Sequence, residues 1–175
     1  MSGNTLFAAN GSTAITSKVQ QYGTLPTGAT SPTPVVTLAT GDAVNGFALF
    51  DLNPMVPGDD TLYALSTVEN LLRKYTFDGS SWAASGSIGA GNALNLAGSA
   101  NGGTVTLFLT TGSSLLTETD TSGYNANITG SLSTLASAGG NTAFRGIGLL
   151  AVPEPGTAAL GLLSLSLALL RKIRR

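Results

Sequence analysis

Apolar positions come in short bursts along most of this chain. Runs of five to eight residues rich in Val, Leu, Phe, Tyr and Thr are broken by clusters of Gly, Asn, Asp, Ser and Pro. Bursts of that length, bounded by turn residues, predict β-strands rather than helices. The pattern gives strands over Thr5–Ala9, Lys18–Tyr22 and Val35–Ala39, then Phe47–Leu52, Thr61–Thr67, Leu72–Phe77 and Trp82–Ile88. It continues with Ala93–Ser99, Val105–Thr111, Leu115–Asp120 and Ile128–Leu135, and a lone strand over Phe144–Leu150. Asn53-Pro54, Pro57-Gly58-Asp59-Asp60, Asp78-Gly79-Ser80-Ser81 and Asn101-Gly102-Gly103 supply the turns, since these residues accept turn dihedrals or bond their own backbone. Leu72–Phe77 fits strict two-residue alternation only loosely. One stretch differs in kind: residues 157–170 are apolar or small throughout, except Thr157, Ser164 and Ser166.

The strands repeat. Thr5-Leu6-Phe7-Ala8 returns as Thr61-Leu62-Tyr63-Ala64 and, more loosely, as Thr106-Leu107-Phe108-Leu109, at offsets of 56 and 45 residues. Gly23 follows Leu6 by 17 positions and Gly79 follows Leu62 by the same 17, which predicts that the first two copies share one register. Four short strands per unit of about 40–50 residues is the pattern of a β-propeller blade. The expected fold is therefore mainly β: about three propeller-like, four-stranded antiparallel blades, incomplete, followed by a C-terminal transmembrane helix. The β-repeat body spans 1–150, with blades at about 1–45, 46–91 and 92–140 and an extra strand at 143–150. Closed propellers use about 4–8 blades, so this count does not close a ring. Stacked meanders in a sandwich or a β-solenoid are the alternative arrangement of the same strands.

Composition narrows the chemistry. The chain has no Cys and no His. Disulfides, thiolate metal sites, a Cys nucleophile and a Ser-His-Asp triad are excluded for it. Charged residues make up only 10%, which suits turn-rich β-structure with an uncharged polar surface. Before Glu154, four basic residues stand against eight acidic ones, and the last five residues hold Arg171, Lys172, Arg174 and Arg175. The mildly acidic body offers no basic patch for nucleic acid.

Asp51, Asp59 and Asp60 crowd a Pro/Gly loop and form a weak candidate Ca²⁺ site, since that ion takes several oxygen ligands. The spacing is not that of an EF-hand, and local turn bonding explains the same residues. Glu118 and Asp120 share one strand face. A glycosidase uses two opposed carboxylates, whereas two neighbours on an exposed strand face read more simply as a solvated edge. Tyr63, Tyr75, Phe77 and Trp82 could form a sugar-binding platform; aromatics within strands more often pack the core. No catalytic residues and no cofactor are expected.

The tail has three parts in order. Pro153 and Pro155 bracket Glu154, so this linker, 151–156, is extended. The apolar run of 14 residues follows; as a helix it is about 21 Å long against a hydrocarbon core of about 30 Å. Its apolar residues cover every face, which argues against a helix lying in the interface. The basic cluster 171–175 then keeps its own side cytoplasmic by the positive-inside rule. The body is thereby expected across the membrane, although MSGNTLFAANGST at the start has neither the basic nor the apolar region of an export signal. The chain is accordingly expected to be the C-terminal piece of a longer protein.

Val152-Pro153-Glu154-Pro155, an apolar helix and Arg171, Lys172, Arg174 and Arg175 together resemble the PEP-CTERM sorting signal. DTLYALST (60–67), LLRKYTFDGSSW (71–82), NGGTVTLFLTT (101–111), TETDTSGYNA (117–126) and NTAFRGIGLLAVPEPG (141–156) are similar to propeller-type repeats of secreted bacterial proteins with such tails. The resemblance implies a Gram-negative source and an exosortase-type processing enzyme as partner. It also implies transient residence in the inner membrane through 157–170, then a cell-surface or extracellular place, with extracellular polysaccharide nearby. The function so implied is that of an exported, non-catalytic surface or matrix protein. A propeller-type hydrolase with its active site in upstream blades, and a permanently anchored binding protein, are the other two readings.

Overall fold

In the computed structural model, residues 5–24 and 28–149 are described. They form eleven strands: β1 (Thr5–Ala9), β2 (Ser17–Thr24), β3 (Thr33–Thr37), β4 (Val44–Phe50), β5 (Thr61–Ser66), β6 (Leu71–Phe77), β7 (Trp82–Gly89), β8 (Asn95–Asn101), β9 (Thr104–Thr110), β10 (Ser114–Asp120) and β11 (Ser133–Ser137). The protein is mainly β, and among the described residues there is no helix. Each strand pairs antiparallel with its chain neighbour, giving three meanders ordered β1-β2-β3, β4-β5-β6-β7 and β8-β9-β10-β11. No closure of the three sheets into a ring is seen among the described residues.

The middle sheet is covered on both faces, and β5 shows why. All six of its residues are buried. Tyr63 and Leu65 point into a core shared with Leu96, Leu107, Leu109 and Leu116 of the third sheet. Leu62 and Ala64 point the other way, into a core shared with Val19, Val35 and Val36 of the first sheet. Successive side chains of a strand face opposite ways, so one strand feeds two cores. The same geometry explains the loose alternation over Leu72–Phe77. Leu72 lies in the first of these cores and Tyr75 in the second.

The sheets meet closely along their first strands. β4 packs against β8 and touches β1. A Cβ on Gly46 of β4 would stand 3.1 Å from the backbone nitrogen of Leu96 and 3.3 Å from its Cβ. A glycine allows the two backbones this approach.

Three expectations need correction. The strand over 144–150 is not formed where it is described: residues 142–149 are irregular, with one backbone bond from Phe144 N to Gly112 O, 3.2 Å. No strand edge lies beside them to complete a ladder. The strand expected over Ile128–Leu135 shifts to Ser133–Ser137. Ile128 is instead turned into the core at 3% exposure, its amide bonded to Ser85 O at 3.0 Å, and Gly130 at φ 122° breaks the extended path. Gly23 and Gly79 are also not equivalent. Gly23 lies within β2 at φ 71°, beside a register shift in the β1–β2 ladder, whereas Gly79 sits in the β6–β7 turn. The Thr-Leu-Phe/Tyr stretches do occupy matching places, as β1, β5 and β9, each the strand before a Leu- or Val-bearing neighbour in its sheet.

Candidate functional site

The residues read as a sorting motif (Val152, Pro153, Glu154, Pro155), the apolar run 157–170 and the basic cluster Arg171, Lys172, Arg174 and Arg175 lie outside the described residues. No helix of the described residues is long and apolar enough to cross a membrane.

The acidic loop is organised by hydrogen bonds. Asp60 is fully buried. Its Oδ1 accepts from Leu52 N at 3.0 Å and Thr61 Oγ1 at 2.8 Å, and its Oδ2 accepts from Asn53 N at 2.6 Å. This carboxylate thus pins the start of the 51–60 loop to its end. Asp51 is exposed and Asp59 half-buried. Burial raises the pKa of Asp59; the neighbouring Asp51 and Asp60 push it up further, against the opposing pull of the N-terminal charge. No group of three acidic side chains among the described residues is placed to hold a metal ion. The Ca²⁺ reading of Asp51, Asp59 and Asp60 therefore finds no ligand cluster, because Asp60 spends its oxygens on the loop.

Glu118 and Asp120 do share a face, but not an exposed one. Both point inward with Leu116, at 8% and 2% exposure. Asp120 is the centre of a buried network between the second and third sheets. Its Oδ2 accepts from Tyr63 Oη at 2.6 Å and Lys74 Nζ at 3.0 Å, and its Oδ1 accepts from Ser122 N at 2.9 Å. Lys74 Nζ also donates to Ser122 Oγ at 2.8 Å and to Gly123 O at 2.5 Å, and lies 5.9 Å from the Tyr63 ring centroid. Burial opposes the charge on Asp120, but hydrogen bonds from Ser122, Tyr63 and Lys74 outweigh it and hold its pKa below the usual 3.8. Glu118 has no such partners. Burial first, and then the Asp120 charge, raise its pKa, against one backbone bond from Ser131. Burial, together with the bond to the Asp120 carboxylate, pushes the Tyr63 hydroxyl well above the ordinary phenol range.

The joint between the first and second sheets uses a related device. Lys18 is fully buried, and its Nζ donates to Ser12 O and Asp42 O, both at 2.7 Å. The Asp42 carboxylate accepts from Ala43 N at 2.7 Å and from Ser66 Oγ at 2.7 Å. Each sheet–sheet joint thus contains one buried, fully hydrogen-bonded lysine. Nothing in the sequence pattern singled out Lys18, Asp42 or Ser66. The available signal was a lysine inside an otherwise apolar strand.

The four aromatics divide. Tyr63 and Tyr75 belong to the two cores. Phe77 and Trp82 are half-buried, with ring centroids 5.3 Å apart and planes tilted by 33°. They line a hollow of 190 Å³ with Gln21 and Asp59. A second, larger groove of 340 Å³ runs between β1 and β4, lined by Thr5, Leu6, Phe7, Phe47, Ala48 and Leu49.

These features define a mainly β protein of three packed antiparallel meanders whose joints carry buried polar networks. Comparison with family models, with curated proteins and with solved structures finds no match to this chain.

Proposed function

We propose that this is an exported, non-catalytic protein of the cell surface or extracellular matrix, delivered by a PEP-CTERM-type sorting tail. The observation that carries the reading is the order of the tail: Pro153-Glu154-Pro155, an apolar run over 157–170, then Arg171, Lys172, Arg174 and Arg175. The apolar run is short for a permanent span, and an extended Pro-Glu-Pro linker before it suits presentation to a processing enzyme of the exosortase type. The basic cluster holds the tail with its C-terminal side cytoplasmic until that processing.

The body is read as propeller-like blades, on the support of three consecutive meanders whose first strands β4 and β8 lie side by side. Its carboxylates argue for scaffold roles: Asp42, Asp60 and Asp120 are all occupied by internal donors. The face best suited to contact a polysaccharide is the Phe77–Trp82 hollow, which sets two aromatic rings beside Gln21 and Asp59.

Expressed in a bacterium with an exosortase, the protein is expected to lose its C-terminal segment. Mass spectrometry of the mature chain checks this: a C-terminus upstream of Thr157 supports processing, and an intact Arg175 would establish a permanent anchor instead. A reporter fused after Arg175 and found outside the cytoplasm before processing would sink the proposed topology.

A further inference from the structure

We propose that residues 144–149 of one copy of this chain form the missing inner strand of the first sheet of a second copy, and that two copies exchange this strand to close a six-sheet ring. The proposal rests on reading the sheets as propeller-like blades.

The segment sits where an inner strand belongs. A four-residue turn follows the outer strand of each sheet. Asp42 N bonds Ala39 O at 3.4 Å after β3, Ala93 N bonds Ala90 O at 3.1 Å after β7, and Thr142 N bonds Gly139 O at 3.2 Å after β11. All three turns contain left-handed residues: Gly41 at φ 98°, Gly91 and Asn92 at 61° and 60°, and Asn141 at 61°. The first turn leads into β4 and the second into β8. The third leads into 144–149, which form no strand within their own chain.

The sequence agrees with this placement. Ala43, Gly46, Phe47 and Leu49 of the β4 region match Ala143, Gly146, Ile147 and Leu149 at a constant offset of 100 residues. Gly46 is the residue whose missing Cβ lets β4 approach Leu96 of the neighbouring inner strand. Gly146 preserves that option.

The partner is equally defined. β4 pairs with β5 and β8 with β9, the strands that begin Thr61-Leu62-Tyr63 and Thr104-Val105-Thr106-Leu107-Phe108. β1 carries the third such stretch, Thr5-Leu6-Phe7, and is an edge strand of a sheet with only three strands. The groove beside it, lined by Thr5, Leu6, Phe7, Phe47, Ala48 and Leu49, is the space an inner strand would fill. Leu6 is 38% exposed and Leu149 47% exposed, and pairing would cover both. An open edge flanked by apolar side chains is a template for strand addition.

A second copy is the occupant because three sheets are too few for a ring and six are within the usual range of about 4–8. Reciprocal exchange of one strand gives a closed assembly with twofold symmetry.

The test uses the full chain in detergent solution. Since the chain has no cysteine, Leu6→Cys and Leu149→Cys can be placed on separately tagged copies. In the register of Leu49 opposite Leu62, these two residues face each other, at a spacing a disulfide can bridge. Oxidation is expected to link the two tags, and light scattering to give a protein mass of twice 17.5 kDa. Gly146→Val is expected to return the mass to that of one chain. A parent mass of one chain, or one that climbs without limit with concentration, overturns the two-copy ring. In the double variant on one chain, a disulfide confined to that chain overturns the exchange and leaves the blade reading standing. Absence of either disulfide together with a one-chain mass removes both.

Discussion

Lys74 Nζ lies 3.0 Å from Asp120 Oδ2, with the two side chains 0% and 2% exposed and 46 residues apart in sequence. This pair crosses from the second sheet to the third. Removing one partner leaves the other charge buried and unpaired, which costs about 3–5 kcal/mol. Lys74→Met is therefore expected to lower unfolding stability by that amount in urea titration. Tyr63→Phe, which removes a neutral donor from the same carboxylate, is expected to cost about 1–3 kcal/mol. If the two changes combined prove strictly additive, the three groups do not act as one network.

The same carboxylate sets a pH limb. Asp120 has a folded pKa below its ordinary 3.8. Its contribution is therefore complete above the unfolded value and is lost as pH falls through the lower folded value. Thermal melts from pH 5 down to pH 2 should show a steepening loss of stability. In Asp120→Asn that limb should flatten, with a lower melting temperature already at pH 7.

Glu118 titrates in the opposite sense. Its folded pKa is raised above 4.5, by burial and by the Asp120 charge. Its ionisation therefore opposes folding once pH exceeds the unfolded value, and the penalty is full above the folded one. Glu118→Gln is expected to be more stable than the parent at pH 7 and equal to it near pH 3. A loss of stability at pH 7 would show that the carboxylate has a favourable partner.

Asp60 ties Leu52, Asn53 and Thr61 together. Asp60→Ala leaves two backbone amides without their acceptor and is expected to cost about 1–3 kcal/mol per buried group left unpaired. The cost should be the same in Ca²⁺ as in chelator, which a parallel pair of melts checks.

Gly98 marks how tightly the second and third sheets fit. A Cβ there would stand 2.8 Å from Leu107 Cδ2, 3.0 Å from Phe50 Cζ and 3.0 Å from the Thr106 carbonyl. One of these atoms is backbone and cannot easily move aside. Gly98→Ala is expected to destabilise by about 1–3 kcal/mol through overpacking, and Phe50→Leu in the same chain should recover part of it.

Most of the secondary structure was legible from the sequence alone. Strand content, the antiparallel meanders and the matching places of β1, β5 and β9 all follow from short apolar bursts between turn residues. These signals are local: period, turn chemistry and repeat spacing. The turn role of the Asp59–Asp60 loop was legible for the same reason, since a carboxylate near Pro and Gly bonds its own backbone. What the sequence could not show is what covers each face. The carboxylates Glu118 and Asp120 look like a solvated strand face, and only the packing of the third sheet on the second turns them inward. Lys18 and Lys74 read as surface charges until two sheets close over them. The segment 144–149 has the pattern of a strand, yet a strand exists only where another edge supplies its hydrogen bonds. Pattern is written in neighbouring residues; burial, pairing and pKa come from residues tens of positions away, and tertiary structure alone brings those together.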